Sequence, residues 1–140
     1  MLQPVFRHFR KSNRHHIRNT YENKSSRLCF GTYGIQAIEK GFLTAHQIEA
    51  VRRTITGRLK RKGKIWIRAY PDAGHTSKPK EVRRGRGKGN VDHWYCAVKP
   101  GRILFEVKVS HRHQTQIRPA LKFAIRKLPI FSQIISNIYL

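Results

Sequence analysis

The sequence predicts an α+β fold around a single core, and three observations carry the prediction. Two stretches repeat apolar residues at steps of three and four, as amphipathic helices do, and several others alternate apolar with polar residues or concentrate β-branched ones, as strands do. A length of 140 residues with 39% hydrophobic content supplies one core and not two.

In chain order, residues 1–26 carry Arg7, Arg10, Lys11, Arg14 and Arg18 with no acid before Glu22, and they show neither periodicity. Such a segment buries too little apolar surface to order itself, so 1–26 read as an extended basic arm and 27–140 as the domain. From Leu28, apolar Leu28, Cys29, Phe30, Tyr33, Ile35 and Ile38 are interrupted by Gly31 and Gly34, which suits a strand with a bulge or sharp bend. Thr44 with Gln47 three residues on is a capping box, and Ile48, Val51, Ile55 and Leu59 follow at helical spacing. The spacing predicts a helix over 44–61 whose other face holds Arg52, Arg53, Arg58, Lys60 and Arg61. Lys64–Tyr70 alternates and reads as a strand with Ile65, Ile67 and Ala69 inward and Lys64, Trp66, Arg68 and Tyr70 outward. Residues 71–92, rich in Pro, Gly and cations, read as a long functional loop. Strands over His93–Lys99 and Arg102–Val109 follow, joined by a Pro100–Gly101 turn. Leu121, Ala124, Ile125 and Leu128 predict a second helix with Pro119 in its first turn and Pro129 at its end, and Ile130–Leu140 reads as a final strand.

Lys plus Arg number 30 and Asp plus Glu 7, for a net charge of +23, which calls for a polyanionic partner. Seven scattered carboxylates supply little for paired-acid catalysis or a Mg²⁺ site. Cys29 and Cys96 lack a CxxC partner, so both are expected to be buried reduced thiols, and no apolar run approaches membrane-spanning length. Five residues separate Gly57 from Gly63 where a P-loop has four, and Ile65 follows Lys64 where Ser or Thr belongs. In Arg83, Arg84, Gly85, Arg86, Gly87, Lys88 and Gly89, alternating glycine offers backbone that can approach an anion, with cations on every side. His15–His16 and His111–Arg112–His113 lack neighbouring ligands for a metal, and no cofactor is expected. A small basic nuclease using His111 or His113 and a nucleic-acid chaperone without a fixed site are the alternatives to a structural RNA-binding protein.

Several segments in order carry a resemblance: MLQP at the start, FRK at Phe9–Lys11, FGTYG at Phe30–Gly34, LTAHQIEAVRR at Leu43–Arg53, KGKIWIRAYPD at Lys62–Asp72, EVRRGRGKGNVDHW at Glu81–Trp94, KPGRILFEV at Lys99–Val107 and KLPI at Lys127–Ile130. Together they resemble the bacterial-type L-sixteen family of large-subunit ribosomal proteins over nearly the whole chain. Val5, Phe6, His46, Arg84 and the basic stretch Lys108–Arg118 depart from the family pattern.

The resemblance implies a hammerhead-like domain with a mixed sheet, non-catalytic, bound to large-subunit ribosomal RNA beside the tRNA in the aminoacyl site and beside neighbouring ribosomal proteins. No membrane and no homo-oligomer are expected. Carried over with the basic faces above, the RNA-binding residues would be Arg10, Lys11, Arg14, Arg52, Arg53, Lys60, Arg61, Lys64 and Arg68. The tRNA-proximal loop would be Arg83, Arg84, Gly85, Arg86, Gly87, Lys88 and Gly89. Because MLQP aligns with the family's own start, no cleaved transit peptide is expected; the charge and divergence point to a mitochondrial ribosome and an organellar gene, with a plastid or the bacterial cytoplasm as alternatives.

Overall fold

The computed structural model describes residues 2–5, 11, 13, 16–83 and 85–137, with the side chain of His111 left out. The order is β1 (Tyr33–Ala37), β2 (Gly41–Thr44), α1 (Ala45–Arg58), β3 (Lys64–Ile67), β4 (Ala73–Ser77), β5 (Asn90–Val98), β6 (Ile103–Lys108), α2 (Gln114–Ile125) and β7 (Ser132–Ser136), with a 3-10 turn at His111–His113 before α2. The α+β class and both amphipathic helices stand. The sheet is not mixed: the strands divide into a four-stranded sheet, β3-β6-β1-β7, and a three-stranded sheet, β2-β5-β4, with antiparallel pairing throughout. β5 and β6 are consecutive but belong to different sheets, because the turn between them carries the chain from one to the other.

That turn forms as its residues dictate. Arg102 N donates to Lys99 O at 3.3 Å, Pro100 occupies the first central position, and Gly101 takes φ +85°, where a Cβ would strike the Tyr21 ring at 2.4 Å. Tyr21 lies here because the end of the expected arm is folded onto the domain. Glu22 N donates to Pro100 O at 2.8 Å, and Ile103 N donates to Ser25 O at 2.9 Å. The buried Gln36 ties the same place together, donating from Nε2 to Gly101 O at 2.7 Å and accepting at Oε1 from Gln133 at 2.9 Å. Packing against the body therefore begins some residues before position 27.

α1 starts at the capping box: Thr44 Oγ1 accepts from Gln47 N at 3.3 Å and Gln47 Oε1 accepts from Thr44 N at 2.9 Å. Its stripe of Ile48, Val51 and Ile55 is buried with Ile117, Ala120, Leu121 and Ala124 of α2 against Ile35, Leu43, Val98, Leu104, Phe105 and Val107 of the sheets.

Three other boundaries move. α2 begins at Gln114, five residues before Pro119, so Pro119 lies inside the helix on an exposed position instead of opening it. The expected loop 71–92 contains β4, which pairs along β5 from Ala73↔Tyr95 to Ser77↔Asn90, leaving residues 78–89 as the connection. AGHTS has little intrinsic β preference, and pairing with β5 supplies what local sequence lacks. Cys96 is buried as expected, and burial pushes its thiol pKa up, but Cys29 is exposed because residues 28–32 bend across the sheet before β1 begins.

Candidate nucleic-acid interface

The cations of the chain divide by what already holds them. On α1, Glu49 faces two arginines one turn on. Arg52 donates from Nε and Nη2 at 2.8 and 2.7 Å, and Arg53 donates from Nε at 2.9 Å. These charge-assisted bonds lower the Glu49 carboxyl to about pKa 2. Glu49 occupies the Nε–Nη2 edge of Arg52, whose side chain is 38% exposed, whereas Arg53 keeps 75% of its side chain exposed. Arg53 therefore offers more free surface on this helix than Arg52 does.

Arg68 is already engaged within the fold. The alternation rightly placed it opposite Ala69, but its guanidinium pairs with Glu106, whose side chain is 0% exposed. The Glu106 carboxylate also accepts at Oε2 from the backbone N–H groups of Cys29 at 3.1 Å, Phe30 at 2.6 Å and Gly31 at 2.8 Å. Burial alone would raise the Glu106 pKa; the three amides and Arg68 outweigh it, and the carboxyl is held below its ordinary value. Trp66 is also engaged, with Phe30 stacked on it at 5.9 Å between centroids and 21° between planes. One acid in the otherwise apolar run Ile103–Val107 was the sequence signal for this arrangement; nothing local marked the 28–31 bend as its partner.

The exposed cations concentrate after α1. Lys60, Arg61, Lys62 and Lys64 are all exposed, and among the described residues none lies in an ion pair with a carboxylate. Lys60 and Arg61 adopt φ +49° and +62°, a left-handed conformation in which non-glycine residues are strained, while Arg61 N donates to Thr56 O at 3.0 Å and closes the helix end. Lys64 places its ammonium 5.2 Å from the Trp66 ring centroid.

Sequence reasoning missed a second basic surface along the α1–α2 pair. Arg53 and Lys127 line a cleft of about 650 Å³ together with Leu2, His46 and Glu49. Farther along, Phe123 is 39% exposed and lies between two guanidiniums, Arg58 at 3.7 Å and Arg126 at 5.3 Å from its ring centroid. Arg118 and Lys122 flank the same ring. Starting the helix at Pro119 left Arg118 outside it, and the packing of α1 on α2 that joins the two sets of cations has no local signal.

In the 78–89 connection, Arg83, Arg86 and Lys88 are exposed. Gly85, Arg86 and Gly87 have consecutive positive φ of +108°, +56° and +87°, and a Cβ on either glycine would meet nothing within 4 Å. These glycines are required by backbone conformation alone. Gly89 is different: a Cβ there would lie 2.2 Å from Ser77 O, so it serves the closure of the β4–β5 hairpin. Lys78 Nζ donates to Gly85 O, and Lys11 Nζ reaches from the arm to Lys88 O at 3.2 Å. Arg10, Arg14 and Arg84 lie outside the described residues. His113 is the N-cap residue of α2 without a side-chain capping bond, and no acid or base partner accompanies it among the described residues.

Exposed cations, one aromatic beside two guanidiniums and an exposed glycine-rich loop define a class: an α+β body with a strongly basic surface. The family is shown by comparison. Residues 4–135 match the model of ribosomal protein L16p/L10e, and the chain belongs to that family of ribosomal proteins. It is 49% identical over 130 residues, 93% of each chain, to the large ribosomal subunit protein uL16 of Buchnera aphidicola from Acyrthosiphon pisum (strain Tuc7). It is 46% identical over 140 residues, the full length of both, to the uL16 of Buchnera aphidicola from Cinara cedri (strain Cc).

Proposed function

We propose that this protein is a non-catalytic structural constituent of the large ribosomal subunit that binds large-subunit ribosomal RNA and supports the tRNA in the aminoacyl site. The observation that carries the RNA reading is the turn after α1, where four cations at Lys60, Arg61, Lys62 and Lys64 face solvent, without a carboxylate partner among the described residues, beside a buried core. Closely packed RNA phosphates neutralise such a cluster and release counterions as they do so. Arg53 and the α1–α2 surface extend it, and neighbouring ribosomal proteins complete the surroundings. The bacterial relatives favour a bacterial-type ribosome in the bacterial cytoplasm and give no support to the mitochondrial setting expected from the charge.

The loop is the tRNA-facing part of this reading, supported by the family resemblance and by the exposed Gly85 and Gly87, where an added Cβ would meet nothing within 4 Å. The variant Arg83→Glu/Arg86→Glu tests it. Its melting temperature should match the parent, it should enter the subunit through the other surfaces, and aminoacyl-tRNA accommodation should slow on the same preparation. Normal accommodation with full incorporation would contradict the tRNA contact; failed incorporation would place the loop in assembly instead.

A further inference from the structure

A pair of imidazoles sits where the β4–β5 hairpin needs no polar group. His75 and His93 stand directly opposite one another in the register, where the ladder slips between His75 and Thr76. Their rings stack with centroids 4.6 Å apart and planes 18° from parallel. Asp92 Oδ2 lies 2.9 Å from His93 Nδ1, and one ligand atom from each of the three side chains falls within 4.8 Å of the others. None of them supports the core: His75 is exposed, and the His93 and Asp92 side chains keep 33% and 57% of their surface. A contact as open as this adds little to stability.

We propose that His75, Asp92 and His93 form a binding site for a divalent transition-metal cation, Zn²⁺ by donor chemistry, at the foot of the 78–89 connection. Two imidazole nitrogens and one carboxylate oxygen suit Zn²⁺, whereas Mg²⁺ and Ca²⁺ ask for oxygen alone. The present spacing is close to coordination. Two donors about 2.1 Å from a tetrahedral Zn²⁺ are about 3.4 Å apart, so Asp92 Oδ2 and His93 Nδ1, now 2.9 Å apart, have to separate by only about 0.5 Å. The metal takes the place of the proton between them, which passes to solvent. The His75 ring leaves the stack to bring its nitrogen in, and water or a phosphate oxygen completes the shell. The chain's net charge of +23 opposes a further cation at long range, but that field is screened beyond about 8 Å at physiological ionic strength while the donors act in contact. Once bound, the metal joins β4 to β5 beside the residues that open and close the loop.

The probe is Co²⁺ added to the metal-free full-length chain, read by visible absorption and displaced with Zn²⁺. One Co²⁺ per chain is expected, with an absorption band that Zn²⁺ abolishes and a melting temperature that rises with Zn²⁺. His75→Gln and His93→Gln should lose the band, and Asp92→Asn should weaken binding about tenfold or more. His111→Gln/His113→Gln should leave it unchanged, since the other histidines are the internal competitors. All four variants are to be checked for parental circular dichroism; should either His75→Gln or His93→Gln unfold, the exposed Asp92→Asn decides. No binding by the parent, parental binding in Asp92→Asn together with the folded histidine variants, or loss of the band in His111→Gln/His113→Gln would each overturn the proposal.

Discussion

At the scale of single residues, Glu106 has the largest consequence, because it holds a loop to a central strand with one carboxylate. Glu106→Gln keeps the volume but removes the charge from three backbone amides and leaves Arg68 without its partner. Breaking a buried pair from one side costs about 3 kcal/mol, so the variant should melt well below the parent in a calorimetric scan. The pH dependence has a definite sign. Folding lowers the Glu106 and Glu49 carboxyls, so the stability they contribute is complete above the unfolded value of 4.5 and is lost as pH falls, for Glu49 through about 2. Stability should therefore decline between about pH 4.5 and 2, and Glu106→Gln should flatten part of that slope in acid titrations followed by circular dichroism. A buried acid in an apolar strand was visible in the sequence; the amides that stabilise it lie some 75 positions away and were not.

At the scale of elements, local chemistry was legible where it is self-contained. The Thr44–Gln47 box, the Ile48–Val51–Ile55 stripe and the Pro100–Gly101 turn each satisfy their backbone groups within a few residues, and each formed as its sequence indicates. Val51→Asp, placing an unpaired charge in that 0%-exposed stripe, should cost several kcal/mol, on the order of known buried-charge penalties, and a parental melting curve would contradict the helix face. β4 and the first turn of α2 were not legible, since β5 pairing creates one and tertiary packing around Ile117 the other. Lys60 and Arg61 extend this contrast between local preference and use. Their left-handed backbone costs about 1–2 kcal/mol each as non-glycine residues, and such strain persists at sites where the side chains serve another purpose. Lys60→Gly/Arg61→Gly should raise stability by up to about 1 kcal/mol after the entropy of glycine is counted, while weakening RNA binding measured by filter retention. A double variant that binds as tightly as the parent would separate that turn from the interface.

At the scale of the whole molecule, charge decides the partner and the core decides the shape in which charge is offered. The +23 balance was legible at once, but which cations are available was not, because Arg52 and Arg68 are held by Glu49 and Glu106 while the α1–α2 face gains Arg118 from a helix longer than its periodicity suggested. Binding of the free chain to RNA should weaken linearly in log affinity against log salt, with a slope of about −0.7 to −0.9 for each phosphate neutralised. A salt-independent affinity would remove the electrostatic account. The central claim, that this surface anchors the chain in a large ribosomal subunit, is tested most directly by co-sedimentation of the tagged protein with large subunits after a high-salt wash. Salt weakens a purely electrostatic association, whereas a chain seated among packed RNA and protein resists removal, so the protein should remain with the large subunit at one copy per particle. Complete loss of the protein in the wash, or its even spread over free RNA and both subunits, would contradict the claim.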